Sequence, residues 1–456
     1  MLWGPAARLC VFLGAVIVGF GTVAAFGTPG STTVKQSDAE AIRARVKRAF
    51  ARPKAIPQPP DNPITPEKVA LGERLFNDPR LSSNGKISCA SCHDPRLAFT
   101  DGVPTGEGVT GRPLKRHTPT LWNLAWARRS LMWDGRSESL ELQAKEPIQN
   151  PDEMGETLER IVERLSRDPE YKAAFASAFP SDPKVRADNL LKALAAYERT
   201  LVSPKTRFDL WVEGDENALT EEEKKGFDLF IGKARCINCH TGFAFTDHSF
   251  HDIGLPSEDD LGRGPVVGLE RLNFAFKTPG LRELAWTAPY MHDGSMETLE
   301  EVIRHYEAGG VDRPTRSREM PSRIDLTDEE RQALIAFLYT LSSENPPKPS
   351  QEFSLSKRQA SLETASGDEK AVATATVSQR NKEFTPGHVV IKRGEVLTIL
   401  NDDTRTHNVR IYDPRFDFNS GAQEPGETIT IALPTTGTFK AFCGIHPNME
   451  LTIEVE

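Results

Sequence analysis

Ser88-Cys89-Ala90-Ser91-Cys92-His93 and Arg235-Cys236-Ile237-Asn238-Cys239-His240 decide how this chain is read. Each contains a Cys-x-x-Cys-His, and each sits within the same succession of blocks. Ahead of them, residues 65–76 (TPEKVALGERLF) match residues 220–230 (TEEEKKGFDLF). Behind them, residues 118–126 (TPTLWNLAW) match 278–286 (TPGLRELAW), and each leads to an Asp-Gly, at Asp134-Gly135 and Asp293-Gly294. Residues 193–203 (ALAAYERTLVS) then match 333–343 (ALIAFLYTLSS). Blocks that recur in one order, with loops of varying length between them, describe a duplicated domain.

The blocks read as helices. Thr220 with Glu223, and Thr327 with Glu330, have the spacing of a capping box, in which the Thr oxygen accepts from first-turn N–H groups and the Glu reaches back. Leu190, Leu191, Leu194, Tyr197 and Leu201 fall at helical spacing, as do Leu334, Phe337, Leu338 and Leu341. These stripes read as plain core.

A Cys-x-x-Cys-His is the attachment signature of a c-type haem. The two thiols add to the vinyl groups and the adjacent histidine binds iron. The competing reading, a redox dithiol or half a zinc site, does not account for two copies inside one repeated block. Cys89, Cys92 and His93 are therefore expected to hold one haem, and Cys236, Cys239 and His240 a second. The chain has six cysteines. Cys10 lies near the N-terminus and Cys443 stands alone, so none is left for a disulfide. The distal faces decide function, because a carrier haem keeps a sixth ligand and a catalytic one needs a vacant position.

The chain is 456 residues long, with a net charge of −9 and 38% hydrophobic residues, enough for about three small cores. The charge and the lack of a basic stripe argue against nucleic acid as a partner. Arg8 followed by an apolar stretch from Leu9 to Ala25 reads as an export signal over residues 1–25, with Val23-Ala24-Ala25 before the cut. An uncleaved membrane anchor is the competing reading, since about 20 apolar residues span a bilayer. No later segment is long and apolar enough to do so. The expected compartment is the periplasm. The two haem domains are placed at 40–210 and 211–345. A polar, Ser-, Ala-, Glu- and Lys-rich stretch at 346–379, opened by prolines, reads as a flexible linker. From 380 to 456 the pattern turns to β, with strands expected at 388–391, 396–400, 428–433 and 451–455.

Within that β region Cys443-x-x-His446-x-x-Met449, with His407 upstream, is a type 1 copper set: two imidazoles and a thiolate in the plane, a thioether on the axis. A dinuclear copper centre would require a second cysteine in the loop. The competing reading is an emptied, structural cupredoxin. The ligand spacing resembles that of the amicyanin-like cupredoxins.

After the shared Asp-Gly the two halves diverge, into Gln143-Ala144-Lys145-Glu146-Pro147 and Glu153-Met154 in the first and residues 298–306 (TLEEVIRHY) in the second. Over roughly residues 60 to 345 the chain resembles the bacterial dihaem cytochrome c peroxidase/MauG family. The resemblance implies two mainly α-helical cytochrome c-type domains, followed here by an all-β cupredoxin sandwich. It implies that the first haem is peroxidatic, with Gln143, Pro147 and Glu153 lining its distal pocket. Glu153 would move a proton from the inner to the outer peroxide oxygen, making water the leaving group. Trp133 would relay electrons between the haems; its counterpart in the second half is His292. Tyr306 stands where ordinary members carry a methionine ligand and MauG a tyrosine; Met291, Met296 and His305 are nearby rivals. The histidine that blocks the resting haem in many members is missing between Asp94 and Arg116. His117 aligns with an asparagine that helps hold calcium in relatives, which puts a calcium on the carbonyls of Thr287 and Pro289 in question.

Three readings follow. In the first, hydrogen peroxide is reduced to water with electrons relayed from the copper domain through the second haem to the first, and a small periplasmic electron-transfer protein is an expected partner. In the second, peroxide drives oxidation of Trp or Tyr residues of a partner protein. In the third, both irons are capped and the chain only transfers electrons.

Overall fold

Thr65 accepts from the Lys68 N–H and starts the helix Pro66–Phe76; Thr220, in a capping box with Glu223, starts Glu221–Ile231. In this computed structural model these are equivalent elements of two halves. The structure describes residues 46–127, 131–256, 259–345, 347–348, 372–373, 376–393, 395–413, 416–420, 423–433, 435–443, 445–446 and 449–456. The export signal expected at 1–25, and residues 349–371 of the expected linker, lie outside them.

Helix Pro66–Phe76 crosses Ala187–Arg199, and helix Glu221–Ile231 crosses Asp328–Tyr339. Both crossings are made close by a glycine. A Cβ on Gly72 would overlap the Ala193 carbonyl oxygen, and one on Gly226 would overlap that of Ala333. The same atomic device at matching positions is the duplication seen in three dimensions. The expected stripes are core: Leu190, Leu194 and Leu201 are buried in the first half, and Leu334, Phe337, Leu338 and Leu341 in the second.

Three expectations are corrected. The blocks at 118–126 and 278–286 are not helices. Each holds one 3-10 turn, Leu124–Trp126 and Leu284–Trp286, entered from a left-handed residue, Asn123 at φ 63° and Glu283 at φ 62°. A left-handed residue cannot continue a right-handed helix, and Leu-Ala-Trp alone does not reveal it. The domain boundary at 210/211 cuts the helix Arg207–Glu213. Moreover, Phe50 packs against Phe208, Phe227 and Phe245, so the chain around residue 50 belongs to the second half's aromatic core and not to a first domain at 40–210. Finally, the segment 346–379 is not linker to its end: strand Val372–Ala373 lies inside it, and strand Thr376–Arg380 begins inside it and runs one residue past it. Val377 and Gln379 are fully buried, so the polar composition hid a half-buried strand.

The C-terminal region is a two-sheet sandwich. One sheet orders Val372–Ala373, His388–Ile391, Glu450–Val455, Gly437–Phe442, Arg410–Asp413 and Phe416–Asn419; the other orders Thr428–Ala432, Val396–Asn401, Thr376–Arg380 and Glu383–Thr385. Alternating buried residues of both sheets, among them Val389, Ile391, Leu397, Ile399, Leu451 and Ile453, form its core. Among the described residues no helix is long and apolar enough to cross a membrane.

Candidate haem and copper sites

Cys89–Cys92 forms one helical turn and Cys236–Asn238 one 3-10 turn, and the four cysteines are unpaired thiols. The histidine after each turn is fixed in the same way. His93 Nδ1 lies 2.9 Å from the Phe99 carbonyl oxygen, and His240 Nδ1 lies 2.9 Å from that of Phe245. Both phenylalanines are left-handed, at φ 60° and φ 56°. That conformation costs about 1–2 kcal/mol for a non-glycine residue, and it aims the carbonyl at the ring. A proton held on Nδ1 leaves Nε2 as the nitrogen for iron. Burial lowers both imidazoles below their ordinary value and keeps them neutral, as a ligand must be.

A continuous cavity of about 960 Å³ reaches both motifs; its wall includes Cys89, Cys92, His93, Cys236, Cys239 and His240. That volume lies at the top of the range of roughly 300–1,000 Å³ for ligand sites. Gln143 Oε1 is buried with no hydrogen-bond partner, and an orphaned acceptor in a cavity wall asks for a ligand. Unpaired thiols, neutral imidazoles and this space fit two covalently held haems.

The helices after the two Asp-Gly turns make the halves chemically different. Leu140–Gln149 starts at Ser139 and Leu299–Ala308 at Thr298. Counted from those caps, Gln143 pairs with Val302 and Pro147 with Tyr306, and all four side chains line the cavity. The first helix thus presents an amide and a ring with no donor atom; the second presents a valine and a phenol. Burial raises the Tyr306 phenol above its ordinary value, and the neighbouring Cys239 and Cys236 act in the same sense. His305 is turned aside, its Nε2 2.9 Å from the Ile253 carbonyl oxygen. Met296 does not line the cavity, whereas Met291 does. Met291 has a twin in Met132, both left-handed and both on the cavity wall, so it does not distinguish the halves.

Glu153 follows the first of these helices on a clasped turn. Its backbone N–H donates to Asn150 O at 3.1 Å, its carbonyl accepts from Val109 at 2.7 Å, and Met154 N–H returns to Pro147 O at 3.1 Å. Burial raises the Glu153 carboxyl, while the Asn150 amide, donating at 2.7 Å, pulls it down. Trp133 Nε1 donates to the His117 carbonyl at 2.8 Å, and the His117 N–H donates to His292 O at 2.8 Å. Trp133 meets the His292 ring edge-on at 6.4 Å, which places it where the halves meet. Thr287 and Pro289 line the cavity. His117 has its Nδ1 2.9 Å from Val103 O.

Two residues escaped the sequence reading. Glu198 lines the cavity next to Cys89; it is 5% exposed, its Oε2 has no partner, and burial pushes it up to about 8. Its counterpart in the second half is Leu338, and that charge-for-leucine difference was the available signal. His251 forms a cluster with Cys239 and Asp247, their donor atoms within 4.8 Å of one another.

In the sandwich, Cys443, His446 and Met449 come from the loop between Gly437–Phe442 and Glu450–Val455, whose ends pair at Phe442 and Glu450. His407 comes from beside Gln423. Cys443 Sγ lies 3.8 Å from His407 Nδ1 and 3.7 Å from His446 Nδ1, and those nitrogens are 3.0 Å apart. The Asn408 and His446 N–H groups each reach Cys443 Sγ at 3.4 Å. His407 Nε2 lies 3.1 Å from Asp403, which leaves Nδ1 for metal. Met449 is 1% exposed, and its backbone carbonyl accepts from the Cys443 N–H at 3.2 Å. Three converging soft and borderline donors in a dry site fit a type 1 copper ion.

Residues 66–217 match the family described as di-haem cytochrome c peroxidase, and residues 333–455 the cupredoxin-like domain. The methylamine utilization protein MauG of Methylorubrum extorquens is 46% identical over 332 residues, 72% of this chain and 94% of that one. The cytochrome c551 peroxidase of Nitrosomonas europaea is 37% identical over 302 residues, 64% of this chain and 85% of that one. The crystal structure of a MauG-like protein associated with microbial copper homeostasis superposes with a TM-score of 0.60 at 37% identity, covering 64% of this chain and 95% of that one.

Proposed function

Because the chain belongs to the di-haem cytochrome c peroxidase and MauG family of oxidoreductases and carries a cupredoxin domain, we propose that it reduces hydrogen peroxide to water. In this reading electrons pass from the copper domain through the second haem, by way of Trp133, to the first. The observation that carries it is the inequality of the two distal walls, Gln143 and Pro147 against Val302 and Tyr306.

When bound, the haems supply redox equivalents and a metal site for peroxide. The chain supplies the rest. His93 and His240 would bind the irons, their rings oriented by the Phe99 and Phe245 carbonyls. Pro147 offers no ligating atom at the first haem site, whereas the Tyr306 phenol would be available to hold the second haem. Glu153, its basicity raised by burial, accepts the proton from the inner oxygen of peroxide and returns it to the outer one. Gln143 Oε1, unpartnered in the wall, is placed to accept a hydrogen bond from bound peroxide. Trp133, anchored at both its indole N–H and its carbonyl, bridges the halves. The chain acts in the periplasm, and its donor is a small electron-transfer protein there.

A second reading, oxidation of Trp or Tyr side chains of a partner protein, is favoured by a phenol in place of a thioether at position 306 and by the likeness to methylamine utilization proteins. Turnover separates the two. Holoprotein with reduced copper, mixed with excess peroxide and a reduced small cytochrome, is expected to turn over many times. One oxidising event followed by arrest supports the protein substrate and contradicts the peroxidase.

A further inference from the structure

We infer that Lys382 fixes the copper domain on the second haem domain as a built-in electron junction, bridging the copper ligand His407 to the haem-bearing Cys239. The inference rests on the copper-to-haem relay proposed above and assigns its residues.

The bridge is an unbroken set of contacts. His407 Nε2 lies 3.1 Å from Asp403 Oδ2, which accepts from the Lys382 backbone N–H at 3.3 Å. The Lys382 ammonium reaches Asp247 Oδ2 at 3.4 Å across the domain boundary. The Asp247 backbone N–H donates to the Cys239 carbonyl at 2.8 Å. His251 braces the far side, with Nε2 3.1 Å from Asp247 and Nδ1 2.9 Å from Ser317 Oγ.

Other pairs hold the same face. Arg405 Nε lies 3.7 Å from Glu319, and Arg271 Nη1 3.3 Å from Glu424. Leu272 of the haem half packs against the sandwich core. Each pair joins one domain to the other, so the interface is electrostatically matched rather than incidental.

The backbone of Lys382 gives a separate argument. Asn381 and Lys382, at φ 54° and φ 64°, form the two-residue turn between Thr376–Arg380 and Glu383–Thr385. Such turns favour glycine at the second position. A lysine held left-handed there is conformationally unfavourable, and its ammonium is the part that reaches Asp247. The step served is a one-electron transfer: cuprous copper is oxidised, ferric iron in the second haem is reduced, and no proton or bond is exchanged.

The test is transient photoreduction of copper in the full holoprotein, followed at the copper and haem bands. Lys382→Gly removes the ammonium and suits the turn, so loss of folding does not confuse the result. Copper-to-haem transfer should slow about tenfold or more as the part-buried Lys382–Asp247 contact across the interface is lost, with the copper spectrum retained. Arg271→Glu should slow it, and Arg271→Glu with Glu424→Arg should restore it. If wild-type transfer is fast and neither Lys382→Gly nor Arg271→Glu slows it, the junction is wrong while the relay stands. If wild-type copper stays reduced beside an oxidised second haem, the relay itself is wrong.

Discussion

Pro147 and Tyr306 occupy one register of two equivalent helices, each the eighth residue of a helix that begins at Leu140 or Leu299 and lines the shared cavity. A duplicated scaffold thus carries, at one position, a residue that cannot ligate and a residue that can. Replacing Tyr306 by Phe removes the only phenol oxygen at that position. The expected result is an altered spectrum of the second haem with the first unchanged. An unaltered spectrum would transfer the ligand role to Met291, the other cavity-lining candidate.

Glu153 is held by Asn150 on a turn clasped to Val109 and Pro147, so its amide analogue should keep the geometry. Glu153→Gln should slow the peroxide step about 10²-fold, the usual worth of acid–base help. Stopped-flow mixing with peroxide measures it, and an unchanged rate removes Glu153 from the mechanism.

Glu198 predicts a pH dependence of stability. Burial pushes its carboxyl from 4.5 up to about 8. Between those values the folded chain holds a proton that the unfolded chain has lost, so stability falls as pH rises through this window. Below about 4.5 both states are protonated and this contribution is flat. Urea unfolding followed by the first haem's absorbance should show the decline, and Glu198→Gln should flatten it. An identical slope in the variant would mean that Glu198 is not buried as a neutral acid.

Gly226 touches the Ala333 carbonyl at the crossing of Glu221–Ile231 and Asp328–Tyr339. A methyl group there must separate the helices, so Gly226→Ala should cost roughly 1–3 kcal/mol, as overpacking does. Thermal unfolding reports it, and a variant as stable as the parent would show that the crossing is looser than described.

Much of this was legible because covalent and metal chemistry leaves local spacing. Cys-x-x-Cys-His and Cys-x-x-His-x-x-Met mark their candidate ligands within a few residues of one another. The helices with polar caps and apolar stripes were equally plain. What was hidden depends on contacts between distant segments. Phe50 joins the second core, and no local pattern says so. Glu198 occupies a buried helical position that reads as solvent-facing. Asn123 and Glu283 break apparently helical runs by a backbone choice their side chains do not advertise. Lys382 looks like a surface charge until Asp247 lies opposite it.

The central claim is that one haem keeps a vacant face and the other does not. Electron paramagnetic resonance of the resting ferric holoprotein, repeated after one equivalent of peroxide, tests it most directly. The account predicts one high-spin signal that peroxide removes, beside a haem whose signal Tyr306→Phe changes. Two low-spin signals, neither altered by peroxide, would contradict it.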